Sequence, residues 1–358
     1  MIDKKILTIN PGSTSTKIAV YLCNDLLFLK NIQHPAEELE KFNSIIDQYE
    51  FRKHIILEEL ESAHIDIEKI NVVVARGGLV KPIPSGVYAV NERLKEDLKK
   101  GVQGQHASNL GGLIADDIAN SIKGADAYIA DPVVVDELTE VARITGHPEL
   151  IKNSIFHALN QKSIARTHAR AIGTTYEELN LIVAHLGGGI SVGAHKNGKV
   201  IDVNQALDGN GPFSPERSGT LPVGQLVSLC FSGKYTENEM KKMLVGKGGY
   251  VAYLGTNSAY DVGVRANDGD EKAKLIQEAL AYQISKEIGS LATVLKGEVD
   301  AILLTGGIAY NDHFVRMIKD MIGFIAPVGV YPGEDEMKAL ATNGLMILNG
   351  ELEPLTYE

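Results

Sequence analysis

Three short runs combine glycine with amide, hydroxyl or imidazole groups: Asn10-Pro11-Gly12-Ser13-Thr14-Ser15-Thr16-Lys17, His185-Leu186-Gly187-Gly188-Gly189 and Thr305-Gly306-Gly307. A tight turn between strands aims backbone N–H groups outward, and hydroxyls add donors, so the first run suits phosphate oxygens. A polar hairpin is the competing reading, and Lys17, inside a strand, is as suited to structure as to charge. In the second run three consecutive glycines let backbone come close to a ligand. Two such turns would grip a polyphosphate from both sides. The third run ends an apolar strand. It either lets a flat adenine or ribose lie on the backbone or simply turns strand into helix.

Two arginines stand where charge would serve chemistry. Arg76 ends an apolar run before Gly77 and Gly78, and Arg217 lies in Gly211-Pro212-Phe213-Ser214-Pro215-Glu216-Arg217-Ser218-Gly219. Arginine binds carboxylate or phosphate with two prongs and stays charged, although a structural salt bridge fits either position as well. Asp131 follows a strand and precedes Pro132, where it could hold Mg²⁺ through water, orient a nucleophile, or cap a turn. The Walker A pattern, G-x-G-x-x-G and the protein-kinase signatures are all absent from the sequence, which sets aside the commonest nucleotide-binding classes.

These groups need rigid elements to hold them. Short β-rich runs alternate with amphipathic stretches, which predicts α/β architecture. Strands are expected at residues 6–9 and 17–22 around the turn 10–16, at 72–75, 87–90 and 128–130, then at 181–184, 190–195, 200–203 and 301–304. Asn197-Gly198 marks a hairpin. Helices are expected within 35–63, after a cap at Asn91, over 106–122, over 268–295 and over about 335–349. ILTINPGSTSTKIAVY parallels LIVAHLGGGISVGAH, and VVVARGGLV parallels AILLTGGIA, in the same order. This pairing predicts a duplicated domain with a cleft between the copies. The division is expected as 1–152 and 153–334, with the last segment, 335–358, packing back on the first domain.

The 358 residues carry a net charge of −11 without a basic cluster, which argues against a nucleic-acid partner. Cys23 and Cys230 are the only cysteines and fit a reducing compartment. The N-terminal apolar run is too short for a signal peptide, and none approaches the ~20 residues of a membrane span. The expectation is a cytoplasmic protein.

In these motifs the chain resembles the acetokinase family, whose members share the duplicated RNase H-like fold of actin, hexokinase and Hsp70. N-P-G-S-T-S-T-K, H-L-G-G-G-I-S-V, S-P-E-R-S-G and L-L-T-G-G-I-A carry the likeness over nearly the whole chain. A-R-G-G-L-V-K-P-I and F-H-A-L-N-Q-K-S-I-A-R look like its butyrate kinase branch. The resemblance implies that Asn10, Gly12, Ser13, Ser15 and Lys17, with His185, Gly187, Gly188 and Gly189, serve the nucleotide phosphates. Gly306, Gly307 and Ile308 would serve its adenosine. It further implies Arg217 as the catalytic arginine, Asp131 as the catalytic acidic residue and His106 as a lining of the acid site.

Three positions depart from the acetate enzymes' pattern. Their arginine three residues before the place of Arg76 is here Val73, so Arg76 is expected to supply that charge. Their H-G-T-S-H run is here His157-Ala158-Leu159-Asn160-Gln161. Either Gln161 replaces the second histidine as a neutral donor, or His157 acts instead. The magnesium-linked glutamate falls at Glu334 or Glu336, with Glu334 favoured. The implied reaction is MgATP-dependent phosphorylation of a short carboxylic acid by a dimer or larger homo-oligomer. A carboxylate needs no deprotonation at neutral pH, so positioning and charge neutralisation dominate such a reaction. Sugar kinases of the same superfold place an aspartate where this chain has Asn10, and an ATPase switch of the chaperone type would need an extra peptide-binding domain.

Overall fold

The computed structural model describes residues 4–358, which divide into two compact units. One comprises the chain up to Val135 together with Asp335–Glu358, and the other comprises Asp136–Glu334.

The first unit is built on β1 (Lys5–Pro11), β2 (Ser15–Leu22), β3 (Asp25–Gln33), β4 (Val72–Arg76), β5 (Val87–Ala89) and β6 (Asp126–Ala130), in spatial order β3-β2-β1-β4-β6-β5. β1 pairs antiparallel with β2 and parallel with β4. Flanked on both edges and covered on both faces, it is buried on successive residues rather than on alternate ones, and Ile6, Leu7 and Ile9 are fully buried beside an equally buried Thr8. The helix Asn109–Asn120 covers β4 and β6. A Cβ at its Gly111 would lie 2.7 Å from the carbonyl oxygen of Arg76, so glycine there lets the helix seat against the strand that carries this arginine. On the opposite side the helix Glu336–Asn349 packs on β1 and β4, with Gly344 pressed against Val74 and Ile6.

The second unit repeats the plan with β7 (Asn180–Leu186), β8 (Ile190–Lys196), β9 (Lys199–Val203), β10 (Ala301–Gly306) and β11 (Val328–Pro332), ordered β11-β10-β7-β8-β9. An antiparallel β7–β8 hairpin and a parallel β7–β10 pair match β1–β2 and β1–β4. The two internal sequence parallels are therefore equivalent elements of one topology. Asn197 and Gly198 both have positive φ, the conformation a two-residue turn between β8 and β9 requires. The helix Glu271–Val294 is capped by the Asp270 carboxylate and lies on β7 and β8.

The stretch 35–63 is not one helix. A single turn at Ala36–Leu39 is followed by a break, and the main helix runs over Tyr49–Ser62. At the break the Asp47 side chain accepts from the Ser44 N–H, an alternative to the helical bond. β3 escaped the sequence reading because it is mostly exposed and shows no period-2 burial signal.

Candidate active site

In the first unit, Asn10 closes β1, and the chain turns through Gly12, whose N–H donates to the Ser15 carbonyl at 2.7 Å. Ser13 is exposed, Ser15 is half-buried, and Lys17 points outward from β2. The turn rests on Arg52, a residue without any motif signal. Its fully buried guanidinium donates to the carbonyls of Gly12 (2.8 Å), Ser13 (3.1 Å) and Ser15 (3.2 Å), to Thr16 Oγ1 (3.1 Å) and to Gln48 Oε1 (2.9 and 3.0 Å). These bonds tie three carbonyls of the turn to one side chain and so fix its shape. Burial disfavours the charged guanidinium and lowers the Arg52 pKa to about 10, still far above neutrality. The clue in the sequence is periodicity: 52, 56 and 60 form the buried stripe of their helix, and the first is an arginine.

Glu336 gathers two of the expected residues. Its Oε2 accepts from Asn10 Nδ2 at 2.5 Å and lies 3.3 Å from Arg76 Nη1. Asp131 lies at the end of β6 with a left-handed φ of 36°. It is 3% exposed, and its Oδ1 accepts from Ser85 Oγ (2.6 Å) and the Gly86 N–H (3.0 Å). A side-chain carboxylate holding a strained corner is thus its observed setting. His106 is exposed ahead of the helix Asn109–Asn120, and its Nδ1 accepts from the Ser108 N–H at 3.1 Å.

In the second unit, three glycines between β7 and β8 have three different reasons. A Cβ at Gly187 would lie 2.9 Å from both Glu334 Oε1 and His185 Nε2. One at Gly188 would meet nothing closer than Glu216 at 3.8 Å, and one at Gly189 would overlap the Arg217 guanidinium. The Ser214 hydroxyl donates to the Gly188 carbonyl at 2.6 Å, and Arg217 Nη1 donates to the Ala206 carbonyl at 2.6 Å. The Arg217 loop and the glycine turn are therefore packed together.

His185, on β7, has Nε2 3.0 Å from Glu334 Oε1 and Nδ1 2.8 Å from Asn160 Oδ1. Its ring stacks on that of His157 with centroids 3.8 Å apart. His157 precedes the helix Ala158–Ala171, is half-buried, and has Nδ1 2.9 Å from Ser191 Oγ. Gln161 is fully buried, and both ends of its amide are bonded to Ser191 and His195. Glu334 thus belongs beside His185, whereas Glu336 belongs with Asn10 and Arg76.

Gly306 leaves β10 with φ 92°, pressed against the Leu186 backbone, and a Cβ at Gly307 would meet nothing within 4 Å. Gly307 and Ile308 border a cavity of about 540 Å³, completed by Tyr260, Gly263, Gln277 and Asn311. It combines apolar walls with a few amides, suited in size to a nucleoside. Tyr260, Gly263 and Gln277 lie far from Gly307 in sequence, and none of the four carried a motif. Among the described residues no group of three or more His, Cys, Asp or Glu forms a ready metal cage, and no helix is long and apolar enough to cross a membrane.

A family model described as the acetokinase family matches residues 142–347. The chain is 58% identical to butyrate kinase 1 of Clostridium acetobutylicum over 354 residues, 99% of each chain. It is 55% identical to a probable butyrate kinase of Bacteroides thetaiotaomicron, covering 99% of this chain and 100% of that one. The fold is similar to the crystal structure of Porphyromonas gingivalis acetate kinase, with a TM-score of 0.78 at 19% identity over 96% of this chain and 100% of that one.

Proposed function

The chain belongs to the acetokinase family, and we propose from this premise that it is a butyrate kinase, transferring the γ-phosphoryl group of ATP to the carboxylate of butyrate or a related short or branched acid. The observation that carries the reading is the likeness along 99% of the chain to proteins named butyrate kinase. A carboxylate oxygen attacks the γ-phosphorus in line. The new O–P bond forms as the bond to the β,γ-bridging oxygen breaks, giving acyl phosphate and ADP. The acyl phosphate is high in energy, so the enzyme also runs towards ATP.

In this reading the cavity at Gly307 and Ile308 takes the adenosine. The turns at Gly12–Ser15 and Gly187–Gly189 take the phosphates through N–H groups. Arg217 supplies a planar cation to the phosphoryl oxygens, and Arg76 and His106 meet the acid. His157, the more accessible of the two alternatives, donates to the phosphoryl group, whereas Gln161 supports it from inside. Asp131, at the corner after β6, is the acidic residue of this site.

Mg²⁺ fits this chain as an ion carried by the nucleotide, because magnesium keeps most of its water and takes one or two carboxylates beside substrate phosphates. Glu334, 38% exposed against 10% for Glu336, is the carboxylate assigned to it through water. When bound, the ion neutralises phosphate charge. A homodimer or larger assembly is also part of the proposal. The helix Val223–Cys230 buries none of its residues and, with Phe231 at 87% exposure, offers an apolar face to a second copy. A cytoplasmic location, where ATP is at hand, completes the proposal.

The test is acyl phosphate trapping with hydroxylamine across C2–C6 acids and MgATP. The expected optimum of kcat/KM lies at C4 or branched C4–C5 acids, since one or two methylenes are worth about 1–3 kcal/mol of discrimination. Acetate preferred tenfold or more would overturn the choice of acid. Turnover of glycerol or glucose without acid activity would overturn the class.

A further inference from the structure

Behind His157 lies a continuous chain of buried hydrogen bonds. The Tyr176 hydroxyl is 2.6 Å from His195 Nδ1, and His195 Nε2 is 2.9 Å from Gln161 Oε1. Gln161 Nε2 is 3.0 Å from the Ser191 carbonyl and 2.8 Å from Ser191 Oγ, which is 2.9 Å from His157 Nδ1. His195, Gln161 and Ser191 have no exposed surface, and Tyr176 is 3% exposed.

The direction of every hydrogen follows from one carbonyl. The Ser191 carbonyl only accepts, so the Gln161 group facing it is the NH₂, and Oε1 must face His195. Oε1 only accepts, so His195 carries its hydrogen on Nε2, leaving Nδ1 to accept from Tyr176. Burial, helped by Lys162 and Arg166, holds the His195 pKa well below its ordinary value, as this single-proton arrangement requires. At the other end, Ser191 Oγ accepts from Gln161 Nε2 and, at 3.4 Å, from the His157 N–H. Both lone pairs are then used, and the hydroxyl hydrogen is left for His157 Nδ1. Gly193 belongs to the same device: a Cβ there would lie 2.6 Å from Gln161 Oε1 and 3.2 Å from His195 Nε2.

We propose that Gln161, acting through Ser191, is a positioning residue that fixes His157 in the Nε2–H tautomer, so that the ring presents a donor, not a lone pair, to the transferring phosphoryl group. The proposal rests on the assignment of His157 to that group in the preceding reading. It also accounts for glutamine at this position: its amide transmits one fixed direction, whereas a histidine there could adopt either tautomer. Misdirecting the donor should cost less than removing one outright, which typically loses about 10²–10³ in rate.

The test is long-range ¹H–¹⁵N correlation on the full chain labelled with ¹⁵N-histidine, with His157 assigned by its absence in His157→Ala. The expected spectrum has His157 and His195 both as Nε2–H tautomers. In Ser191→Ala, His157 should move towards a mixture with Nδ1–H, and kcat should fall about 10-fold with the KM for ATP unchanged. Wild-type His157 found as Nδ1–H overturns the proposal, whether or not Ser191→Ala folds. An unchanged tautomer in Ser191→Ala also overturns it. If His157→Ala keeps more than about a third of wild-type kcat, the catalytic half of the proposal falls while the identification as a carboxylate kinase stands, because acyl phosphate is still formed.

Discussion

The guanidinium of Arg217 fills the space that a side chain at Gly189 would need. A cation from one loop is thereby set by a glycine in another, and the Ser214–Gly188 hydrogen bond pins the same two loops together. Gly189→Ala should push Arg217 aside and lower kcat by about 10²-fold with little change in ATP affinity. Gly188→Val should do the reverse. A Cβ there meets no protein atom closer than 3.8 Å and would stand in the proposed phosphate site, so ATP binding should be lost while far-UV circular dichroism stays native. Calorimetry and steady-state kinetics on the pair separate the two effects. Normal ATP binding by Gly188→Val would remove this turn from the nucleotide site.

Arg217→Ala should itself lower kcat by about 10²-fold or more, and Arg217→Lys should rescue poorly because an ammonium cannot bridge two oxygens in a plane. Arg76→Ala should mainly raise the KM for the acid. It also strips Glu336, a 10% exposed carboxylate, of its cation, so some loss of thermal stability should accompany it. Varying each substrate separately distinguishes these outcomes. Retention of more than about a third of kcat by Arg217→Ala would make its loop structural.

Arg52 holds three carbonyls of the first turn without touching solvent. Arg52→Met should take this donor from the Gly12 and Ser13 carbonyls, while the Ser15 carbonyl keeps the Gly12 N–H, at roughly 1–3 kcal/mol for each buried group left unsatisfied, and release the turn. The expected result is a marked drop in melting temperature and an increase of about 10-fold or more in the KM for ATP. Arg52→Lys should recover part of the stability and little of the ATP affinity. An Arg52→Met protein with unchanged KM for ATP would show that the turn keeps its shape unaided.

Stability should depend on pH through His34. Burial, and secondarily the Arg52 charge, lowers its pKa from 6.5 to about 4. Between these values the unfolded chain binds a proton that the folded chain refuses, so stability rises with pH across this window. The contribution is complete above 6.5 and is lost as pH falls through 4. His195 acts in the same direction in the other unit. Urea midpoints should therefore fall between pH 7 and about 4.5, and His34→Gln should flatten the slope. Equal slopes in both proteins would mean that His34 is protonated without cost.

The glycine turns proposed to meet the nucleotide were legible as turns in the chain because their chemistry is local. Glycine runs, hydroxyls and strand-ending turns announce themselves by type and spacing, as at Gly12–Ser15, Gly187–Gly189 and Gly306–Gly307. The duplicated strand pattern was legible for the same reason, since a strand buried on both faces is predominantly apolar.

What the chain could not disclose is which side chains stand behind those turns. Arg52 lies 36 residues from Thr16 yet donates to its hydroxyl. Glu336 and Asn10, 326 residues apart, share a hydrogen bond. Gln161 and Glu334 were visible as candidates, but their sequence neighbourhoods could not say that one is sealed inside with both amide ends bonded while the other sits beside His185. The amino-acid sequence by itself determined the family and the duplicated strand plan, and it pointed to the glycine turns and the arginine loop as candidates. Only the tertiary structure decided the partners, because burial and hydrogen-bond direction are properties of packed surfaces that no local run of residues contains.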